Sequence, residues 1–326
     1  LHKITIFKRM KLSTSCRLIL SIIFLNCAFS TSVFHAQDEW DFEADQSKKE
    51  LKETFNDTRV INGHSVELLD AKVLDLRISH RFGNLAVPAS GRTLFGLDNS
   101  TDIRIGLEYG INDWLMVGGG RSKGASPYRE YWDGLFKIKI LRQRTGSSDN
   151  NKEDNKSVPV SLTLASSAFF TSMLASADST SQIAFGYNAE NKFQSFNHRL
   201  SYFTQLILAH NLVNKLSVQV SAGVLHRNFV AFNEQNTNFV IGFMSKIKLY
   251  KKISLVGEYY HVFRDNTRYV DPLAISVEIK TYGHVFMLNF INSRGIGEGQ
   301  FLPYTFSRWK DGAFRFGFTI SRNFQL

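Results

Sequence analysis

The stretch Gly120-Arg121-Ser122-Lys123-Gly124 has the Gly-x-Ser-x-Gly spacing of a hydrolase nucleophile. That chemistry needs a strand, a sharp turn that exposes the serine, and a helix behind it. Here a strand-like pattern runs into a loop with no helical period after it, so the segment reads as a glycine-rich strand end. His64, His80, His198, His210, His226, His261 and His284 could serve as general acids, bases or metal ligands. No two of them have the spacing of a metal-binding pair such as His-Glu-x-x-His. His80, His226 and His261 fall near strand ends on mainly apolar faces, which suits headgroup depth in a membrane. A lipid-modifying enzyme would pair one of them with a serine, and no spacing selects which. Gly295-Ile296-Gly297-Glu298-Gly299 is glycine-rich, but no Lys-Ser or Lys-Thr follows, so it is not read as a phosphate cradle. No cofactor, no metal and no catalytic residue is assigned.

What remains is charge, and its spacing is regular. In residues 101–110, TDIRIGLEYG, Ile103, Ile105, Leu107 and Tyr109 alternate with Asp102, Arg104, Gly106 and Glu108. Leu74, Leu76 and Ile78 alternate with Asp75, Arg77, Ser79 and Arg81, and Phe314, Phe316, Phe318 and Ile320 with Arg315, Gly317, Thr319 and Ser321. Period two gives each strand one apolar and one wet face. A soluble sandwich shows the same period. Here, however, the polar face is often charged or Gly/Ser, and the connections alternate between tight turns and long stretches such as 83–100, 121–133, 174–192 and 293–312. Short turns on one rim and long loops on the other are the pattern of a transmembrane barrel. A closed barrel also leaves no unpaired backbone edge in lipid.

The sequence therefore predicts an all-β fold, an antiparallel transmembrane β-barrel of about twelve strands with short periplasmic turns and longer outer loops. Strands are expected near 70–82, 101–110, 114–121, 133–142, 158–170, 194–210, 215–228, 237–250, 253–264, 273–280, 284–292 and 312–324. Ten strands is the alternative, because 273–292 also reads as one long strand. Alternation in 253–264 is blurred by Val256, Tyr260 and Val262. The expected lumen-lining residues are Arg77, Arg104, Glu108, Lys137, Lys139, Arg199, Lys246, Lys248 and Arg315. With Arg81 these make nine inward basic groups against Asp75, Asp102, Glu108, Glu258 and Glu278. Such a wall is modestly basic and would favour anions, unless the charges pair across a closed interior.

Composition agrees. The 326 residues include 28 Phe, 11 Tyr and 4 Trp but only 5 Pro, a bias toward strands. Residues 8–40 run basic, apolar, then polar, in the order of a secretory signal. The expected organisation is a signal peptide over 1–36, with translation starting at Met10, a polar periplasmic lead-in or plug-like segment over 37–64, and the barrel over 65–326. Both cysteines, Cys16 and Cys27, fall inside the signal, so no disulfide or thiolate site is expected beyond it. The five basic residues of 1–36 take the net charge from +10 to +5. An exported chain with dispersed positive charge is not a nucleic-acid binder. Its expected partners are outer-membrane lipids, the barrel-assembly machinery and small anionic solutes.

The segments FNDTRVINGHSVELL, LRISHRFG, LFGLDNSTDIRIGLEYGINDWLMVGGGRSK, GHVFMLNF and FRFGFTISRNF together resemble a family of Bacteroidota outer-membrane β-barrels known only as a domain of unknown function. The resemblance spans about residues 54–326 and is most specific in the LFGLDNST…GLEYG…LMVG block. It implies an exported outer-membrane barrel and no activity. Unlike many barrels, the sequence has Gln325 and Leu326 after its last aromatic residue, Phe324. The function expected is a narrow channel or small-solute passage. The alternatives are a membrane-embedded lipid-modifying enzyme and a non-conducting scaffold.

Overall fold

The computed structural model describes residues 53–326 except 89, 126, 145–156, 174–192, 194, 214, 232–233 and 266–267. The expected signal peptide, the first part of the lead-in and most of the polar connection 143–157 lie outside the described residues.

Twelve strands form one closed antiparallel barrel in which each pairs with its sequence neighbours and β1 closes on β12. They are β1 Val73–Asn84, β2 Ser100–Asn112, β3 Leu115–Lys123, β4 Glu130–Leu141, β5 Ser161–Thr171, β6 Leu200–Val213, β7 Leu216–Arg227, β8 Thr237–Lys248, β9 Ile253–Val262, β10 Leu273–Thr281, β11 His284–Ile291 and β12 Arg315–Gln325. The ten-strand alternative fails at residues 282–283. Gly283 has φ +73°, a left-handed conformation that reverses the chain, and Thr281 pairs directly with His284. Ile78 pairs with Ile105 on one side and Ile320 on the other, so apolar residues align in rows around the wall.

The outer surface is a girdle of exposed Leu, Ile and Phe: Leu107 is 50% exposed, Leu206 45% and Phe243 51%. The alternate residues, including Arg77, Arg104, Glu108 and Lys137, are buried inside. No helix among the described residues is long and apolar enough to cross a membrane. An apolar outside around a charged inside is stable only with lipid on the outside. Replacing Leu206, midway along β6, with Arg is therefore expected to destabilise the barrel by about 2–4 kcal/mol. Urea unfolding in lipid vesicles would read this, and an unchanged midpoint would contradict the facing.

Two segments fill the interior. Residues 53–69, which include the described part of the expected lead-in, enter from the rim of tight turns and double back as a hairpin. Its arms bridge at Arg59 and His64, Ser65 N–H donates to Thr58 O (2.9 Å), and Val60 N–H donates to Gly63 O (2.9 Å). From the opposite rim, the β11–β12 loop folds inward. Residues 295–305, with the short helix α1 (Glu298–Phe301), are buried. Hairpin, loop and wall share one apolar cluster that includes Phe55, Ile61, Phe169, Phe203, Tyr260 and Phe301. This is why alternation blurs in β9. Val256, Tyr260 and Val262 face inward and are buried against what fills the lumen, not against lipid.

Candidate functional site

The interior charges meet on the hairpin. At its tip, the backbone N–H groups of Ile61, Asn62 and Gly63 donate to the Glu258 carboxylate (3.1, 3.0 and 3.0 Å), and the Asn62 side chain adds a fourth bond (2.9 Å). Successive N–H groups aimed at one point form an anion-holding concavity, here occupied by a wall carboxylate. Arg81 on β1 donates to the Asn62 side chain from the other side. Gly63 is required at this turn by space. A Cβ there would lie 1.7 Å from the Tyr260 hydroxyl oxygen.

One turn below, Arg59 joins the two fillings. Its Nε lies 3.2 Å from Glu108 on β2 and its Nη1 3.2 Å from Glu298 on α1. Asp57 accepts two bonds from Arg77 on β1 (2.8 and 2.5 Å), and Thr58 donates to Glu108 (2.6 Å). The Lys137 ammonium on β4 bonds the carbonyls of Thr58 (3.1 Å) and Glu67. Thr163 donates to Val66 O (2.7 Å), while Gln219 accepts from Val66 N–H and donates to His64 O (2.9 Å each). At the foot, Asn56 donates to Glu278, Lys246 reaches Asn56 (3.3 Å), and Lys280 pairs with Glu53 (3.0 Å).

Of the residues expected in the lumen, Arg77, Arg104, Glu108, Lys137, Lys246 and Arg315 are buried in the interior. Arg104 is held by Asp133 on β4 (2.9 and 2.6 Å) and Arg315 by Asn292 O (2.6 Å) and Asn84 (2.5 Å). Lys139 is half-buried near the tight-turn rim, and Lys248 is exposed there. Arg199 lies in a helical turn before β6, donating to Thr171 O and Met173 O (2.9 and 2.8 Å). Sequence reasoning missed Asp133, Arg59 and Glu298. With Asp133 counted and Lys248 and Arg199 at the rims, the buried wall is close to charge balance. Basic excess sits at its mouth.

Sequence reasoning also missed the hairpin, whose signal was available. Asn62-Gly63 between Val60-Ile61 and His64-Ser65-Val66 is a strong short-range turn signal. Replacing Gly63 with Ala is expected to unseat the tip at a cost of about 1–3 kcal/mol. Adding Tyr260→Ala, which clears the space, should restore it. Protease protection of residues 53–69 in vesicles reads both variants. Equal protection in Gly63→Ala and the parent would contradict the seating.

None of the serine–histidine contacts among the described residues completes a catalytic triad. Ser122 lies within β3, buried, with no helix after it. His64 Nε2 approaches both Glu298 (3.1 Å) and Ser167 (3.4 Å), whereas a triad places the carboxylate on the other ring nitrogen. His80 contacts Ser100 (3.1 Å), and His226 contacts Thr237 (2.8 Å). His261 Nδ1 lies 2.7 Å from Asp271, in the loop after β9. Burial pushes the Asp271 carboxyl up, but bonds from His261, Val262 N–H and Tyr259 more than offset this and hold it below the usual range. That pair is a hydrogen-bonded anchor at the rim, with no serine bonded to it. No cluster of three or more His, Cys, Asp or Glu among the described residues could hold a metal.

A family model described as Membrane bound beta barrel domain (DUF5777) matches residues 55–324. No curated protein matches. Among solved structures, the NanC porin aligns with a TM-score of 0.43 at 9% identity, covering 78% of this chain and 100% of that one. The KdgM porin, solved in complex with disordered oligogalacturonate, aligns at 0.42 and 9%, covering 77% and 99%. The COG4313 outer membrane channel from Pseudomonas putida F1 aligns at 0.41 and 10%, covering 79% and 97%.

Proposed function

This chain belongs to the membrane-bound β-barrel family whose model it matches, and from that premise we propose that it is an outer-membrane passage for small solutes, closed at rest by its own hairpin 53–69. One observation carries this reading. The hairpin, which precedes the first strand and is no part of the wall, occupies the interior beside the inward β11–β12 loop and is tied to a polar wall by hydrogen bonds and ion pairs. A barrel filled once and for all is as stable or more so with apolar contents, because buried ion pairs repay little of their desolvation cost. The sequence supports an exported precursor, with a signal over 1–36, translation from Met10 and a boundary between lead-in and barrel near residue 64. It also supports a Gram-negative outer membrane, assembly by the barrel machinery and a Bacteroidota origin.

Planar-bilayer recording of the full chain tests the proposal. Brief openings from a silent baseline are expected, and they should vanish when Asn56→Cys and Glu278→Cys are joined by a short thiol cross-linker, then return on reduction. Both positions are at the hairpin foot, and the native cysteines lie within 1–36. Currents indifferent to the cross-link would defeat the reading. The apolar cluster shared by hairpin, loop and wall favours a second reading, a scaffold that never conducts. Permanent silence after removal of the hairpin would select it.

A further inference from the structure

At the rim of tight turns, Lys215, Lys246, Lys248, Lys251, Lys252 and Lys280 converge on one cavity of about 110 Å³. They are not scattered surface lysines. Lys246, Lys248 and Lys280 stand on the inward-facing series of β8 and β10, so they point to the mouth and away from the outer girdle. Backbone bonds between neighbouring strand ends fix Lys215 and Lys252 beside them: Lys248 N–H donates to Lys215 O (2.8 Å) and Lys280 N–H to Lys252 O (2.9 Å). Among the described residues lining the cavity, Glu53 is the one carboxylate, and it is paired with Lys280. Six lysines face one carboxylate in the lining, with Glu278 and Glu67 behind Lys246, so the mouth keeps a net positive charge that a bound anion would relieve. Serines 217 and 254 and Asn211 supply further polar groups on the same wall.

We propose that this mouth binds a small anion carrying two or more phosphate or carboxylate groups, and that the bound anion loosens the foot of the hairpin. The volume is that of roughly three or four waters, enough for a compact polyanion. The coupling follows from shared partners. An anion drawn to Lys280 and Lys246 competes with Glu53 for the first and Asn56 for the second, and both competitors belong to the hairpin. Binding and hairpin release then favour each other by linkage. The inference rests on the passage reading for its purpose, not for its chemistry.

The test is calorimetric titration of the full chain in an uncharged detergent at low salt, with pyrophosphate and with citrate. Saturable binding that weakens with salt is expected. Lys248→Glu with Lys252→Glu, both exposed and outside the core, should weaken it about tenfold or more. Glu53→Gln, which removes the competitor, should tighten it by about twofold to fivefold, the worth of an exposed ion pair. Repeating the titration in nanodiscs separates two sources of the same chemistry. Pyrophosphate binding lost with phosphatidylglycerol and kept with phosphatidylcholine assigns the site to a lipid headgroup, and binding kept in both assigns it to a soluble anion. No binding by the full chain, or equal binding by the double lysine variant, overturns the site. Unchanged affinity in Glu53→Gln overturns its coupling to the hairpin. Because binding is read without current, a silent barrel leaves this result standing, and an absent site leaves the passage to be judged by conductance.

Discussion

Glu258→Ala is expected to open the barrel. The carboxylate accepts three consecutive backbone N–H groups and the Asn62 amide at the hairpin tip, all of them buried. Truncation leaves those donors without an acceptor, at about 1–3 kcal/mol for each one left unpaired. Even a total of about 3 kcal/mol raises the population of the displaced hairpin roughly a hundredfold, at about 1.4 kcal/mol per decade. In bilayer recordings the variant should open far more often than the parent, with openings of the same size. Glu258→Gln keeps an acceptor oxygen and should fall between them. An alanine variant as quiet as the parent, with the barrel correctly folded, would mean that the tip is held by something other than this carboxylate.

Arg104→Ala is expected to cost the barrel about 3–5 kcal/mol, because it strands the Asp133 carboxylate in a closed interior. Arg104 is 1% exposed and makes a two-point pair with Asp133. The wall is shaped around it. A Cβ at Gly106 would lie 2.5 Å from one guanidinium nitrogen, and a Cβ at Gly120 would lie 2.6 Å from another. Combining the change with Asp133→Ala removes the orphaned charge and should recover much of the loss. The urea midpoint in vesicles measures both variants, and a double variant no better than the single one would show that the pair is not the reason.

The interplay of Arg104 with its glycines shows what the sequence made legible and what it did not. Period-two alternation located twelve strands and their faces, because a strand in lipid cannot turn charge outward without a penalty each time. Gly120 read only as part of a strand end. Its reason is the bulk of Arg104 on the neighbouring strand, as Glu108 is for Gly118, and no local pattern contains either. Asp133 escaped notice because Gly134 interrupts the alternation around it. Glu298 stood in a stretch that read only as glycine-rich, yet Gly295 and Gly299 sit in close contact with Gln300, Phe169 and Tyr131 in the packed interior. Residues 53–69 carry polar groups in no long period, so the part up to 64 read as a lead-in or plug-like segment with no partners assigned. Their partners lie up to 239 positions away, as in Arg59 with Glu298, and pairing at that range leaves no periodic trace. The blurred face of β9, like Phe203 and Ile207 on the inward series of β6, was a sign on the wall that something apolar lay within. The count of inward charges overstated the basic excess, since it omitted Asp133 and included Lys248 and Arg199, which lie at the rims.

Whether the barrel conducts turns on hairpin 53–69 as its closure. The most direct measurement is single-channel conductance of the folded barrel lacking those residues, recorded beside the full chain under the same conditions. Steady, long-lived current steps from the shortened barrel, against brief and rare ones from the full chain, are the predicted result. A shortened barrel that folds, pairs β1 with β12 and stays silent would contradict the account, leaving the inward loop 292–314 as a permanent seal and the molecule as a scaffold.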